Sequence, residues 1–186
     1  PKKNQLIMKK SLPQIKPLLA ETYLTVIKNS VGAKTWRSFY IKADPVSAKA
    51  SARQSKKIDI MKKGGLSCAF FVSSILTLFG LIKKIHGTVD GTIFDLEKSG
   101  WRKLNPSIRL RINKNKIKPG AIIVWQAKID KMGERHKHLG FYLGHNRAVS
   151  NSSKSRQIAE HHFTFGIRNG QPVRSIEAIY THQKLN

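Results

Sequence analysis

Hydrophobic residues follow helical spacing in the first part of the chain. In the segment 13–29 the apolar side chains recur on one side of a helix, and Pro17 suits its first turn. The segment 68–81 is apolar almost all round, which predicts a helix buried at the centre of the core. A third, more polar helix is predicted within 87–104, where Gly100 would end it.

The last third of the chain instead carries short β-type runs separated by turns. Helices followed by an antiparallel sheet predict an α+β domain. We expect residues 1–35 to form a basic arm and an amphipathic helix, and residues 36–186 to form the main domain. A short strand or aromatic anchor is predicted at 35–43, and an exposed basic loop at 44–57. The β-type runs are 117–129, 138–144, 147–153, 158–166 and 172–182.

The chain is strongly basic. Its 186 residues include 35 Lys and Arg against 10 Asp and Glu, a formal net charge of +25. Such a charge predicts attraction to anionic partners: nucleic acid, anionic membranes or cell-wall polymers. The basic residues are spread along the whole chain, and no motif that reads nucleic acid accompanies them. Binding of nucleic acid or another polyanion is therefore kept as an alternative main function.

The chain contains a single cysteine, which limits the kinds of structural site that it can form. One cysteine excludes an internal disulfide and a zinc site made of four thiolates. The apolar run 66–82 is interrupted by serine, threonine and glycine and has lysines at both ends, so we expect a buried helix and no transmembrane segment. Because the chain begins with Pro1, we expect that an N-terminal signal or anchor was removed or never included.

Cys68 opens the apolar segment, directly after a Gly–Gly turn and Ser67. Ser67 is a favourable N-cap, which would place Cys68 in the first helical turn. The unpaired N–H groups and the positive dipole end of a helix lower a thiol pKa and can stabilise an oxyanion. We therefore predict that Cys68 is a nucleophile with a lowered pKa. The alternative is a small buried apolar residue.

A nucleophilic cysteine needs a base, and His138 is the strongest candidate among seven histidines. In a strand, His138, Gly140 and Tyr142 share one face, and the apolar residues that alternate with them form the core face. Gly140 is expected to leave open space beside the imidazole. The alternative is an ordinary, half-exposed strand histidine.

Three landmarks in order resemble those of the NlpC-like cysteine peptidases and amidases, bacterial papain-fold enzymes related to the CHAP amidases. The family pattern is a Cys–Ser/Ala–x–Phe–Val run opening a helix, a Pro–Gly–Asp strand entry and a His–Val/Ile–Gly–Ile–Tyr–Leu–Gly strand. Here the landmarks are LSCAFFVSSIL, IKPGAIIVW and HLGFYLG, with Cys68 and His138 separated by 70 positions (138 − 68). The resemblance covers about residues 60–165 and implies a papain-like fold and acyl transfer by a Cys–His pair.

The family's third catalytic residue is often a histidine on the next strand, and the matching position here is Ser150 (138 + 12). Asn151 is the alternative, because an asparagine fills this role in papain-like triads. Strand parity decides between them: a two-residue turn at 145–146 would put Asn151 on the face of His138, and one extra loop residue would put Ser150 there. Ranked third are three residues of the following strand, Glu160, His161 and His162.

Two positions depart from the family pattern. Ser67 and Ala121 stand where the family usually has aspartate. An upstream tyrosine often helps the family hold the substrate carbonyl, and Tyr40 is the nearest candidate in this chain. We assign Tyr40 and Ser67 to substrate or oxyanion contacts on the strength of the resemblance.

Other functions compete with this interpretation. His136 and His138 form an H-x-H pattern near two further histidines, which would suit zinc, although no HEXXH motif is present. The same Cys and His could serve an acyltransferase or an inactive binding module. The resemblance implies an amide hydrolase that acts on peptidoglycan stem peptides. For such an enzyme we expect no cofactor or metal, a monomer, and a place in the cell envelope or outside the cell, with the cytoplasm as the alternative.

Overall fold

The computed structural model describes residues 18–43, 56–104, 117–129 and 133–185. These residues form helices and antiparallel sheets, which confirms the predicted α+β class. The predicted arm 1–12 and most of the predicted loop 44–57 lie outside the described residues. The helices are α1 (Leu19–Asn29), α2 (Cys68–Leu78) and α3 (Val89–Lys98).

The strands of the described residues are β1 (Tyr40–Ala43), β2 (Lys56–Asp59), β3 (Arg102–Leu104), β4 (Ile122–Ile129), β5 (Arg135–Gly144), β6 (Arg147–Ser152), β7 (Gln157–His162), β8 (Ile167–Arg168), β9 (Gln171–Pro172) and β10 (Ile176–Thr181). Six of them form the main antiparallel sheet, in the order β3, β10, β4, β5, β6 and β7. Two further strand pairs, β1 with β2 and β8 with β9, lie outside it.

One face of the main sheet packs against α1 and α2. Phe71 of α2 meets Phe141 of β5 edge to face at a centroid distance of 5.3 Å, and Tyr23 of α1 meets the same ring at 5.8 Å. Leu139 and Leu143 are also buried on this face, as the alternation in β5 predicts. Each large apolar side chain buried here stabilises the fold by about 1.5–3 kcal/mol. This packing fixes α2, and with it Cys68, over the centre of the sheet.

The opposite face of the sheet has a second, smaller core around Trp125, which is fully buried. Its indole Nε1–H donates to the carbonyl of Phe163 over 2.7 Å. Phe163 and Phe165, in the turn after β7, cover this face. His138 pairs with Trp125 across β5 and β4 and therefore belongs to this second face.

The predicted ends of the helices are largely confirmed. Thr88 caps α3 by accepting from the N–H of Gly91, and Gly100 follows α3 with a φ of +88°. α2 ends at Leu78, three residues before the predicted end, and Gly80 turns the chain with a φ of +61°. No helix among the described residues is long and apolar enough to cross a membrane.

Candidate active site

Cys68 is the first residue of α2, and its position depends on the loop before the helix. The carboxylate of Asp59 accepts from the backbone N–H groups of Met61 and Lys63, at 3.0 and 3.1 Å. The side-chain amide of Asn151 donates to the carbonyl of Gly64 over 2.9 Å. Gly64 has a φ of +94°, a conformation that glycine adopts without strain. The main sheet and β2 thus hold the turn that delivers the thiol.

Burial raises the pKa of the Cys68 thiol, and the prediction of a lowered pKa is wrong. Only 7% of the residue is exposed, and loss of hydration disfavours the thiolate. The backbone N–H groups of Leu139, Ala69 and Cys68 itself, together with the charge of Arg174, act in the opposite direction but do not overcome burial. The resting group is therefore a neutral thiol.

The thiol lies where β5 and β6 separate. Pairing between these strands ends with Gly140 opposite Ser150. The backbone N–H of Leu139, one residue beyond that pair, is among the groups that act to lower the pKa of the Cys68 thiol. Cys68 and His138 also line one cavity, which places the thiol near the end of the shared ladder. This arrangement brings a helix terminus and two strands to one point, although they are far apart in sequence.

His138 is bonded to Ser150, not to Asn151. The Nε2 atom of His138 lies 2.9 Å from the Ser150 hydroxyl oxygen. The hairpin turn has two residues, His145 and Asn146, both with positive φ, which is the alternative expected to favour Asn151. A bulge between Tyr142 and Gly144 then adds one residue to β5, which shifts the parity of β6.

Asn151 consequently faces the other side of the sheet, where it binds the turn before α2. Of the lower-ranked candidates, only His161 reaches the site: its Nε2 lies 2.7 Å from the Ser150 hydroxyl oxygen. Glu160 instead pairs with Arg147 at 3.2 Å. Nδ1 of His162 lies 2.8 Å from the Thr164 hydroxyl oxygen.

Gly140 does not leave open space beside the imidazole, so this expectation is wrong. A Cβ atom at position 140 would lie 2.5 Å from the Val149 carbonyl oxygen and 2.7 Å from Cβ of Ser150. It would also lie 3.1 Å from the ring of Trp125. Gly140 is needed because Trp125 and Ser150 approach the backbone closely and occupy that space.

Cys68 lies between two cavities. The larger, of about 530 Å³, is lined by Cys68, His138, Ser150, His161 and Arg174, among others. The smaller, of about 470 Å³, is lined by Cys68 and by residues at the start of α3. A substrate that crosses the thiol can therefore place one part in each cavity.

Arg174 is a site residue that the sequence analysis missed. Its Nε donates to the Gln126 carbonyl over 3.0 Å, and its Nη2 donates to the His136 carbonyl over 2.9 Å. Burial, then the charge of Arg174, then His161 lower the pKa of His138 to about 3. No local pattern around position 174 marks this role, because it depends on the chain returning to the cleft before β10.

Tyr40 and Ser67 are not brought to the cleft. Tyr40 is 55% exposed in β1, and the Lys57 ammonium lies 4.0 Å from the centre of its ring. Ser67 is 1% exposed, and its side chain does not cap α2. Its hydroxyl has no hydrogen-bond partner among the residues described. Neither side chain lines the two cavities beside Cys68.

No family model matches the chain, and no curated protein matches it. Among solved structures, the chain is similar to one described as the structure of NlpC2 from Trichomonas vaginalis. The similarity has a TM-score of 0.46 and 15% sequence identity, and it covers 90% of this chain and 50% of that one. The chain thus spans half the length of that protein.

Proposed function

We propose that the protein is a cysteine hydrolase that cleaves an amide bond, built on a papain-like NlpC-type domain. The observation that carries the proposal is the cleft itself. A thiol at the head of a buried helix and a histidine bonded through Nε2 to a serine line the same cavity. This is the nucleophile, base and orienting group that acyl transfer by cysteine requires.

In this mechanism Nδ1 of His138, the ring nitrogen not bonded to Ser150, takes the thiol proton as sulfur attacks the carbonyl carbon. The carbonyl π electrons move to oxygen, and the Cys68 backbone N–H helps to stabilise the oxyanion. When the tetrahedral intermediate collapses, the C–N bond breaks and the amine nitrogen takes the proton from His138. Water, deprotonated by the same nitrogen, then attacks the thioester and releases the acid and the thiol.

The two groups start uncharged. Burial raises the pKa of Cys68, and burial and Arg174 lower the pKa of His138 to about 3, so a resting thiolate–imidazolium pair is disfavoured at neutral pH. His138 therefore acts as a general base during attack. A positioned base typically contributes roughly 10²–10⁴-fold to a rate, and most when its pKa lies near the working pH.

The sequence resemblance directs the choice of substrate to peptidoglycan stem peptides. The two cavities on either side of Cys68 would accept the acyl and amine parts of a peptide. The net charge of +25 would favour contact with anionic wall polymers, and salt would weaken that contact. An enzyme with this substrate would act in the cell envelope or outside the cell.

The test is digestion of purified peptidoglycan, followed by mass spectrometry of new peptide amines. We expect release by the wild-type protein and none by Cys68→Ala or His138→Ala. His145→Asn is the matched control, because His145 lies in the exposed β5–β6 turn and an asparagine tolerates its positive φ. Equal release by wild type and Cys68→Ala would remove Cys68 as the nucleophile.

A further inference from the structure

Three neighbouring strands each contribute one side chain to a hydrogen-bonded chain that ends at the base. His138 belongs to β5, Ser150 to β6 and His161 to β7. The Ser150 hydroxyl oxygen lies 2.9 Å from Nε2 of His138 and 2.7 Å from Nε2 of His161. Nδ1 of His161 lies 2.8 Å from the main-chain carbonyl oxygen of His162. This chain of hydrogen bonds therefore ends on the His162 carbonyl oxygen, which can act only as an acceptor.

The His162 carbonyl fixes which atom donates in each of these hydrogen bonds. A carbonyl oxygen can only accept, so Nδ1 of His161 carries a hydrogen. In a neutral imidazole the other nitrogen, Nε2, then has a free lone pair and must accept the hydroxyl proton of Ser150. With its proton committed to His161, Ser150 can only accept from His138. Nε2 of His138 thus carries a hydrogen, and its Nδ1 has the free lone pair.

We propose that His161 is a positioning residue that acts through Ser150 to hold His138 in the tautomer whose Nδ1 is the base. The assignment of tautomers rests on the hydrogen-bonded chain alone. The catalytic use of Nδ1 rests on the proposed function. A serine, which can donate or accept, would not by itself select between the two tautomers of His138. His161 makes that selection, because it fixes the direction in which the Ser150 hydroxyl donates.

The surroundings of His161 keep its ring oriented and neutral. Its ring stacks on Phe165 with centroids 4.0 Å apart and an angle of 16° between the planes. Trp125 packs on another side at 5.6 Å. Burial lowers the pKa of His161, and the nearby His162 acts in the same direction, while the His162 carbonyl and the Glu160 carboxylate oppose it. The neutral ring is the form that can accept from Ser150.

The direct test is long-range ¹H–¹⁵N NMR of the histidine rings, which reports which nitrogen carries the proton. In the wild type we expect a protonated Nε2 on His138 and a protonated Nδ1 on His161. His161→Leu removes the acceptor at similar volume, and we expect His138 to lose its single tautomer. His161→Gln offers an amide oxygen to Ser150, and we expect it to restore that tautomer. His145→Asn should leave the spectrum of His138 unchanged.

The kinetic counterpart is the alkylation rate of Cys68 by iodoacetamide at neutral pH. We expect His161→Leu to slow it by about tenfold, a fraction of what a general base contributes, and His161→Gln to recover most of the rate. In the Ser150→Ala background, His161→Leu should cause no further loss. A proton on Nδ1 of His138 in the wild type, or an unchanged tautomer in His161→Leu, would overturn the proposal.

The proposed hydrolase activity and the proposed positioning role of His161 can be disproved independently. If the tautomers are as expected but no amide substrate is cleaved, the hydrolase fails and the positioning role of His161 stands. If peptidoglycan is cleaved in a manner that depends on Cys68 while His161→Leu leaves the tautomer and the alkylation rate unchanged, the positioning role fails and the hydrolase stands.

Discussion

In this site the ring of His138 is hydrogen-bonded to a hydroxyl, that of Ser150. Papain-like triads commonly use an asparagine, and other triads use a carboxylate that stabilises the imidazolium. Ser150 carries no charge, and after burial the largest effect on the pKa of His138 comes from the cation Arg174. The environment therefore favours neutral imidazole. In the proposed mechanism a proton therefore moves to His138 only as sulfur attacks.

The effect of the Arg174 charge on the pKa values of His138 and Cys68 can be tested with Arg174→Gln. Removing the cation should raise the pKa of His138 toward its ordinary value, because a nearby positive charge disfavours a second one. The same change should raise the pKa of Cys68 further, since Arg174 now favours the thiolate. NMR titration of His138 and the pH dependence of thiol alkylation measure the two shifts.

Lys154→Gln is the matched control for this substitution, because Lys154 lines the same cavity but is not among the groups that shift either pKa. An Arg174→Gln protein with both titrations unchanged would show that the guanidinium does not act on the pair.

At the scale of elements, a contact from the main sheet helps to position the first residue of α2. Asn151 in β6 binds the carbonyl of Gly64, four residues before Cys68. Ser150, the next residue in the strand, binds His138 on the opposite face. One strand therefore binds the turn before Cys68 with one side chain and His138 with the next.

Asn151→Ala separates these two roles. Loss of the hydrogen bond to the Gly64 carbonyl should lower the free energy of unfolding by about 1–3 kcal/mol, because a buried acceptor is left without its partner. The alkylation rate of Cys68 should fall, while the tautomer of His138 should stay as in the wild type. Urea unfolding and ring-nitrogen NMR measure these effects. A changed His138 tautomer would mean that Asn151 is the orienting residue after all.

Asp95 joins α3 to the loop that follows α2. Its carboxylate accepts from Nε2 of His86 at 2.9 Å, from the hydroxyl of Ser99 at 3.0 Å, and from the N–H groups of Lys83 and Lys84. Burial alone would raise the pKa of Asp95, but these hydrogen bonds together hold it below its ordinary value.

Stability should therefore depend on pH through this carboxylate. The unfolded chain binds a proton at higher pH than the folded one, so the contribution of Asp95 is full above its unfolded pKa of about 3.9. It is lost as the pH falls through the lower folded value. In urea unfolding, Asp95→Asn should be less stable than wild type at pH 7, and the gap should narrow on acidification. A gap independent of pH would exclude this linkage.

Elements were easier to predict from the sequence than their pairing. The helical spacing of apolar residues identified α1, the apolar run after the Gly–Gly turn identified α2, and the alternation in β5 identified its buried face. The choice between Ser150 and Asn151 could not be made, because it depends on the bulge near Tyr142. A bulge is set by packing on both sides of a strand, and the side-chain pattern of one strand does not encode it.

At the scale of the whole molecule, burial raises the pKa of the Cys68 thiol more than the N-terminus of α2 lowers it. The sequence correctly placed Cys68 at a helix terminus, but the lowered pKa inferred from that position is wrong, because α2 is packed deep against the sheet. His161 reaches the cleft from β7, a strand on which it was one of three candidates, and Arg174 reaches it from the segment before β10. Arg174 was not a candidate, because its contact is long-range and leaves no local signature in a single sequence.

The central claim is that Cys68 accepts an acyl group with the help of His138. It can be measured without the natural substrate by adding p-nitrophenyl acetate, whose acetyl group passes to the thiol as p-nitrophenolate leaves. Peptide mapping should find acetyl on Cys68 in the wild type. His138→Ala should slow acetylation of Cys68 by about 10²-fold or more, and His145→Asn should not. Acetylation of Cys68 at the same rate in His138→Ala would contradict the account.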